Sequence, residues 1–481
     1  MTIDPENGFH VGTVLSCIIG VTGQTVYNCL LLPCLPFLIK FYYPDIDYSD
    51  IGYYSGYLLS MYYLGQIPGA IFWGWYADQH GRRQTMLLIS LFNIVCISAL
   101  GLSRNYYLSL VIRLVHGLTD GTLNVTKTII TEISNDRNIS LGTSFIFLGI
   151  SVGRVVGPLM SGFLTDPTVV KPITDLIPFL KISPFLIPFV IAALVFVIVF
   201  IFFVFFAEES LSPEEQETAR KYKEDMKRSL SGILRKNPLE GYDSHEQLIL
   251  QYSKYSSYSS ILKDRDVLMA VIIYGIHTFA QMSFDALIPN VYVNKQEYGG
   301  FQFPVDAIGW IQMTAFPLSF APMLLCPLWN RIMPYRKEMF VMNVLVVLCF
   351  CIYPLESRFN SSSPLVEFSA VTFFYCLYCS FRLVLFNISI VLVSNTSYKE
   401  FRGTIMGLSQ TVGSLGRFIG PTLIPPLYAW SCHKNTMWIN HRLSFYAIAF
   451  IVLINFIPIT YISEASNKGR GSIQSTVQHT H

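Results

Sequence analysis

Apolar residues along this chain are gathered into twelve long stretches separated by short polar breaks. They lie near 11–39, 51–76, 84–103, 105–132, 140–165 and 184–207, then near 267–293, 306–330, 338–356, 366–395, 403–429 and 442–463. A bilayer core of about 30 Å needs roughly 20 mostly apolar residues per helix, and each stretch meets that length. Open strands would leave backbone groups unpaired in lipid, so the pattern predicts helices throughout. Only 208–266 departs from it. Glu208, Glu209, Glu214 and Glu215 are followed there by Arg220, Lys221, Lys223, Lys227 and Arg228, and a Ser/Tyr-rich run covers 252–260. This is read as a cytosolic linker with a short amphipathic helix over 213–230. The expected layout is six spans (1–207), the linker (208–266), six spans (267–463) and a cytosolic tail (464–481).

Composition sharpens that picture. The 481 residues are 52% hydrophobic and only 13% charged, about half the charged share of a soluble domain, so lipid is the expected solvent for most of the surface. A net charge of +2 gives no reason to expect a nucleic-acid partner. Ten cysteines are scattered through apolar runs, and even Cys376 and Cys379 sit inside one. They read as small packing residues rather than as a disulfide frame or metal site, and no cofactor is expected. No basic segment and small-residue cleavage site open the chain, so the first span is the expected targeting signal. Basic residues outnumber on the side that holds the N-terminus, chiefly through the linker, which places both termini in the cytosol.

The two sets of spans look like copies. Arg113-Leu-Val in the fourth recurs as Arg382-Leu-Val in the tenth, and Gly153-Arg-Val-Val-Gly-Pro in the fifth as Gly416-Arg-Phe-Ile-Gly-Pro in the eleventh. Two matches in the same order, at similar offsets, argue for an internal duplication. Repeated halves are how many transporters build a central site that two bundles rock around.

Charged residues avoid the interiors of spans 3, 6, 9 and 12 and fall in spans 4, 5, 7, 10 and 11. An ionisable group at the bilayer centre costs about 2.5–3.5 kcal/mol on insertion scales. The charge-free spans are therefore expected to face lipid and the others to line something polar. In span 4, Arg113, His116, Asp120, Asn124 and Lys127 are spaced to share one helical face. His277, Gln281 and Asp285 repeat the idea in span 7, and Gln24 with Asn28 in span 1. Three such stripes predict a wet central cavity, to which Arg382, Asn387 and Gln410 of the second half also contribute. Each group has a plainer reading as a hydrogen-bonded fixture of the bundle. Asp120 and Asp285 favour a proton-carrying role, since a buried carboxylate with a raised pKa can hold a proton. Arg113 and His116 complete the coupling candidates.

After span 2 the sequence reads Gly74-Trp-Tyr-Ala-Asp78-Gln-His-Gly81-Arg82-Arg83. Gly81 permits a tight reversal, the arginines suit an anionic leaflet, and Asp78 could meet a basic side chain or a helix N-terminus. This resembles the loop motif of the major facilitator superfamily, with Gln79 where that family usually has a basic residue. Arg113, Gly117 and Gly121 resemble its span 4 motif, whose arginine is linked in the family to proton coupling. Gly149, Gly153, Gly157, Pro158 and Gly162 resemble its span 5 antiporter motif, a seam suited to a gate, with Arg154 as a departure. Tyr298-Gly-Gly, Gly309 and Arg402-Gly-Thr bring the chain nearer to the twelve-span drug:proton antiporter branch, including zinc-induced facilitator-like and multidrug-resistance transporters. The resemblance implies an all-α membrane protein, twelve transmembrane helices in two pseudo-symmetric six-helix bundles, and a rocker-switch cycle.

The expected function is alternating-access transport of a small organic solute, with proton-coupled antiport ahead of proton-independent uniport. A receptor or scaffold that has kept the fold but lost turnover is the reading from another class. No Ser/His/Asp arrangement, metal-ligand helix motif or phosphate-binding loop suggests an enzyme. The chain is expected to work as a monomer in the plasma membrane or a vacuolar or lysosomal-type membrane, with Asn360 as a possible glycan acceptor.

Overall fold

The computed structural model describes residues 11–134, 139–165, 171–172, 175, 183, 185–210, 263–324, 333–354, 364–397, 402–434, 436 and 439–467. The expected helix over 213–230, the run at 252–260 and Asn360 lie outside the described residues. The first half comprises α1 (Val11–Tyr42), α2 (Ile51–His80), α3 (Arg82–Leu102), α4 (Tyr106–Thr119), α5 (Thr122–Glu132), α6 (Ile139–Leu164) and α7 (Leu186–Phe205). The second comprises α8 (Arg265–Val293), α9 (Val305–Leu324), α10 (Tyr335–Ile352), α11 (Pro364–Asn395), α12 (Arg402–Lys434), α13 (Leu443–Ile454) and α14 (Phe456–Tyr461). Two spans are each broken into a pair of helices, α4 with α5 at Asp120–Gly121 and α13 with α14 at Asn455. Twelve spans therefore cross the molecule, close to the predicted boundaries. Among the described residues, seven helices hold an apolar stretch long enough to cross a membrane by composition alone. Most of the others carry the polar or glycine-rich faces.

Local chemistry fixes several helix ends. Asn105 accepts from the Tyr107 and Leu108 amides at the start of α4, and Asp264 from the Asp266 and Val267 amides at the start of α8. Such caps satisfy amides that have no intrahelical partner. The start of α3 is capped from far along the chain. Gly81 (φ +91°) turns the chain there, and Glu209 accepts from the Arg82 amide at 2.6 Å and the Arg83 amide at 3.1 Å. A carboxylate at a helix N-terminus also meets the positive end of the helix dipole. Replacing Glu209 with glutamine is expected to cost about 1 kcal/mol, read as a lower melting temperature of the detergent-purified protein. An unchanged melting curve would show that this tie contributes nothing.

The halves repeat each other in packing. In the first, α1 lies along α6, α2 along α4 and α3 along α7; in the second, α8 lies along α12, α9 along α11 and α10 along α13. Contacts between halves follow the same symmetry, α2 on α12 and α6 on α9. The charge-free spans do turn apolar side chains outward, for example Leu91 and Val95 of α3, Leu194 and Phe205 of α7, Val341 and Leu348 of α10, and Phe450 of α13.

Those inter-half contacts gather at one end of the molecule, the end carrying residues 43–50. Gly52 and Gly56 of α2 lie against the backbone carbonyls of Pro425 and Pro421 in α12, and Gly309 of α9 against the Pro158 carbonyl of α6. Polar links cross the same end: Asn290 donates to Ser55 at 2.9 Å, Lys295 pairs with Asp47 at 2.8 Å, and His433 meets Asp50 at 2.5 Å. Its hydrogen bond with Lys295 holds the Asp47 carboxyl below the usual carboxylate range. Toward the opposite end, which carries Gly81, the described residues show no such close approach of glycines to the facing half. A Cβ built on Gly74 or Gly407 would meet no atom within 4 Å. Among the described residues the halves are thus joined at one end, the sealed end, and lack these contacts at the other, the open end.

His441 helps to hold the sealed end. It lies in the connection before α13, packed against Gly299, whose φ of +71° and whose space leave no room for a side chain. Burial, reinforced by Arg442, pushes its imidazole down to about 4. The unfolded chain binds a proton there near pH 6.5 and the folded chain does not, so stability is full above pH 6.5 and declines as pH falls toward 4. A His441→Gln variant is expected to lose that slope between pH 6.5 and 4 in melting curves; the same slope in both proteins would assign it to other groups.

Candidate functional site

Span 4 does not present one continuous polar face. Asp120 has an extended backbone (φ −95°, ψ 105°), and α5 restarts after Gly121. The carboxylate itself occupies the break: it accepts from the Thr122 amide at 3.0 Å and the Thr122 hydroxyl at 2.7 Å. Its other oxygen accepts from the Tyr62 hydroxyl at 2.5 Å and the Gln24 amide at 2.7 Å. Four donors around a side chain with 1% exposure make Asp120 a hydrogen-bonded fixture that ties α1, α2 and the broken span together.

Arg113 and His116 share that interior. Arg113 is fully buried, donates to the Leu58 carbonyl and the Tyr27 hydroxyl, and lies over the rings of Tyr62 and Tyr27. His116 bonds Asn93 at 2.6 Å and stands beside the same two tyrosines. In the second half, His277 is sealed in turn. Asn455 donates to its Nε2 at 2.7 Å, which leaves Nδ1–H to donate to Ser389 at 2.5 Å. The three stripes read from the sequence thus do not meet in one cavity. They form a sealed polar cluster in each half, because residues buried inside each bundle were counted together with residues that face the other bundle.

The groups that do reach the space between the halves are fewer. Asp285 of α8 and Arg382 of α11 form an ion pair at 2.5 Å, their side chains 13% and 12% exposed. Arg382 also lines a small pocket inside the second half, together with His277, Gln281 and Tyr378. Arg154 of α6 is near this pair across the interface, all three charges acting on Cys29 of α1. Nearer the open end, Arg417 of α12 donates to Ser414 at 3.0 Å and to Gln410 at 3.5 Å, over the ring of Tyr63. Lys127 of α5 is half-buried in the first half. Asn28, Asn124 and Asn387 are half-buried on their helices. Sequence reasoning missed Tyr62, Asn93, Asn343 and Asn455; polar residues inside apolar runs were the available signal.

The loop after α2 is more tightly held than the sequence suggested. The arginines are not left to the leaflet: Arg82 is buried and pairs with Glu132 at 2.8 Å, and Arg83 donates to the Phe203 and Val204 carbonyls at the end of α7. Asp78 falls in the last turn of α2, its side chain outside the described set. In span 5, Gly149, Gly153 and Gly157 bring α6 onto the α1 backbone within one half, whereas Gly162 faces Asp306 of α9 across the interface.

A family model described as Major Facilitator Superfamily matches residues 15–421. The chain belongs to that superfamily. It is thus a membrane protein with the fold of secondary transporters, not an enzyme. Among curated proteins it is similar to Protein ZINC INDUCED FACILITATOR-LIKE 1 of Arabidopsis thaliana, 23% identical over 83% of this chain and 80% of that protein. It is likewise similar to a probable peptide/nitrate transporter of the same plant, 24% identical over 83% and 80%. Among solved structures, a D-xylose–proton symporter superposes with a TM-score of 0.66 at 12% identity, covering 95% of this chain and 99% of that one. That likeness shows the fold alone.

Proposed function

We propose that this superfamily member moves a small organic solute by alternating access with its transport coupled to protons, antiport being the direction that its resemblance to drug:proton antiporters favours. The sealed end would face outward or into a lumen, and the open end the cytosol. The observation that carries the coupling is the Asp285–Arg382 pair. It is an ion pair on spans 7 and 10, Arg382 lining the small pocket of the second half, and both side chains keep some exposure through which a proton could reach them. Protonating Asp285 would release Arg382 and change what the cavity prefers to bind, which is the differential interaction a coupled cycle needs. Asp120, by contrast, already has four donors and reads as structure. The two sites sit in different halves, so mutation separates them.

The test uses purified protein in liposomes holding a pH-sensitive dye, under an imposed proton gradient, with organic cations, organic anions, amino acids and sugars added in turn. Solute-triggered proton movement that disappears in Asp285→Asn supports the reading. Tracer uptake without proton movement would leave a uniporter. No uptake of any solute by folded protein would move the weight to a receptor or scaffold.

A further inference from the structure

We propose that a phospholipid with an ammonium headgroup binds where α6 of the first half crosses α9 of the second. Its cation would sit on the Asp306 carboxylate and its phosphate or ester oxygens on the Trp310 indole. The site lies at the sealed end and stands independently of the transport reading.

Two glycines set the crossing. A Cβ on Gly162 would come within 3.0 Å of the Asp306 Cα, and one on Gly309 within 2.7 Å of the Pro158 carbonyl oxygen. Backbones this close leave their larger side chains to splay to either side. Leu159 and Phe163 of α6 and Asp306 and Trp310 of α9 border a shallow notch, with the buried Pro158, Gly162 and Gly309 completing its lining. Phe163 and Trp310, one from each half, meet edge to face with centroids 5.5 Å apart and planes at 79°. They remain 42% and 43% exposed. Aromatic rings left open at the end of a span are suited to the lipid headgroup region.

The polar groups of the notch are unused. Asp306 is exposed, and among the described residues its carboxylate has no hydrogen bond or ion pair, nor has the Trp310 indole N–H a protein acceptor. Their depths differ in a telling way. α9 begins at Val305, so Asp306 stands at the rim of the span, and Trp310, four residues on, lies about 6 Å deeper. An ammonium-headed phospholipid carries its groups in the same order: the cation outermost, then phosphate and ester oxygens, then chains, for which Leu159 and Phe163 supply an apolar wall. The rings would also attract the ammonium through their negative faces. An anionic headgroup would meet Asp306 with like charge, and a sterol would leave the carboxylate unused. Because both halves line it, the notch exists only while they are joined at this end, and a lipid seated there favours that state.

The experiment titrates the delipidated, detergent-purified full-length chain with dioctanoyl phosphatidylethanolamine, phosphatidylcholine and phosphatidylglycerol, and with cholesterol, read by native mass spectrometry and thermal shift. Wild type is set beside Asp306→Asn and Trp310→Leu, each first shown to elute and melt as a folded protein. At least one ammonium lipid is expected to bind about fivefold more tightly than phosphatidylglycerol. Asp306→Asn should bring that preference within about twofold, and Trp310→Leu should weaken the ammonium lipid by about fivefold. A lead of ethanolamine over choline would assign the preference to hydrogen bonding on Asp306, the reverse to the rings, and either keeps the site. Equal or tighter binding of phosphatidylglycerol by wild type overturns the proposal without recourse to any variant. So does an undiminished headgroup preference in Asp306→Asn, or cholesterol that displaces both ammonium lipids.

Discussion

Asparagine in place of Asp285 is expected to lower proton-coupled flux by about a hundredfold, a loss of about 2.7 kcal/mol in the transport barrier. The change keeps the shape of the side chain and removes both its charge and its proton site. Arg382 would then keep its contact with the Tyr378 ring, with its centre 5.6 Å from the ring centroid, but lose its carboxylate, and its Nε is already without a partner among the described residues. Removing one member of a fully buried pair typically costs about 3–5 kcal/mol. Here both side chains remain partly exposed, 12% and 13%, so solvent offsets part of that and the protein is expected to stay folded with a modestly lower melting temperature. Aspartate-to-glutamate exchange should keep part of the flux, since it preserves the titrating group and shifts only its position. Dye-reported proton flux in liposomes measures all three proteins. Full flux from Asp285→Asn would show that the pair is structural and that the proton, if one moves, uses another route.

The second large effect is expected at the sealed end. A methyl group on Gly56 would run into the backbone oxygen of Pro421, and the next nearest atoms are the Pro421 carbonyl carbon and Pro426 Cδ. No flexible side chain can swing aside, so the backbones must part. Overpacking of this kind costs about 1–3 kcal/mol. Inside a bundle that would simply destabilise the fold. Gly56 lies between bundles that must separate here during the cycle, and separation relieves the clash. Gly56→Ala is therefore expected to shift the population toward the state open at this end by about 5–150-fold, with little change in melting temperature. Spin labels at Asp45 and Glu297, one on each half, should report a longer distance population that wild type lacks. An unchanged distance distribution would mean that the helices accommodate the methyl group locally.

The fold was legible in the sequence because lipid imposes a length rule that packing cannot override. Spans predicted at 11–39 and 267–293 end within a few residues of the observed α1 and α8. The lipid-facing helices were equally plain, since an unpaired charge facing hydrocarbon is costly and spans 3, 6, 9 and 12 have none. The site was less legible. Helical spacing put Arg113, Asp120 and Lys127 on one face, but the extended backbone at Asp120 broke the register. Spacing along one helix also says nothing about which bundle a face turns to. That is why His277 read as facing the space between the halves, whereas it bonds Ser389 and Asn455 and lines a small pocket inside its own half. The tie from Glu209 to the start of α3 crosses 127 positions, beyond the reach of any local pattern.

The symmetry between halves also orders the charges by descent. Gly153 rests on the Thr22 carbonyl and its counterpart Gly416 on the Gly275 carbonyl, which aligns Gln24 with His277. The bond from Gln24 to Asp120 then matches the bond from His277 to Ser389. Arg113 with Arg382, and Arg154 with Arg417, are repeated pairs, and the simplest genealogy places them in the ancestral half-length chain before it was doubled. Asp285 aligns with Leu32, and Lys127 with Thr396, so each stands in one half only. A dimer of the ancestral half would have had four arginines around its axis and neither of these two residues. Asp285, on which the proposed coupling depends, is then the younger inheritance, acquired once the two halves were free to diverge.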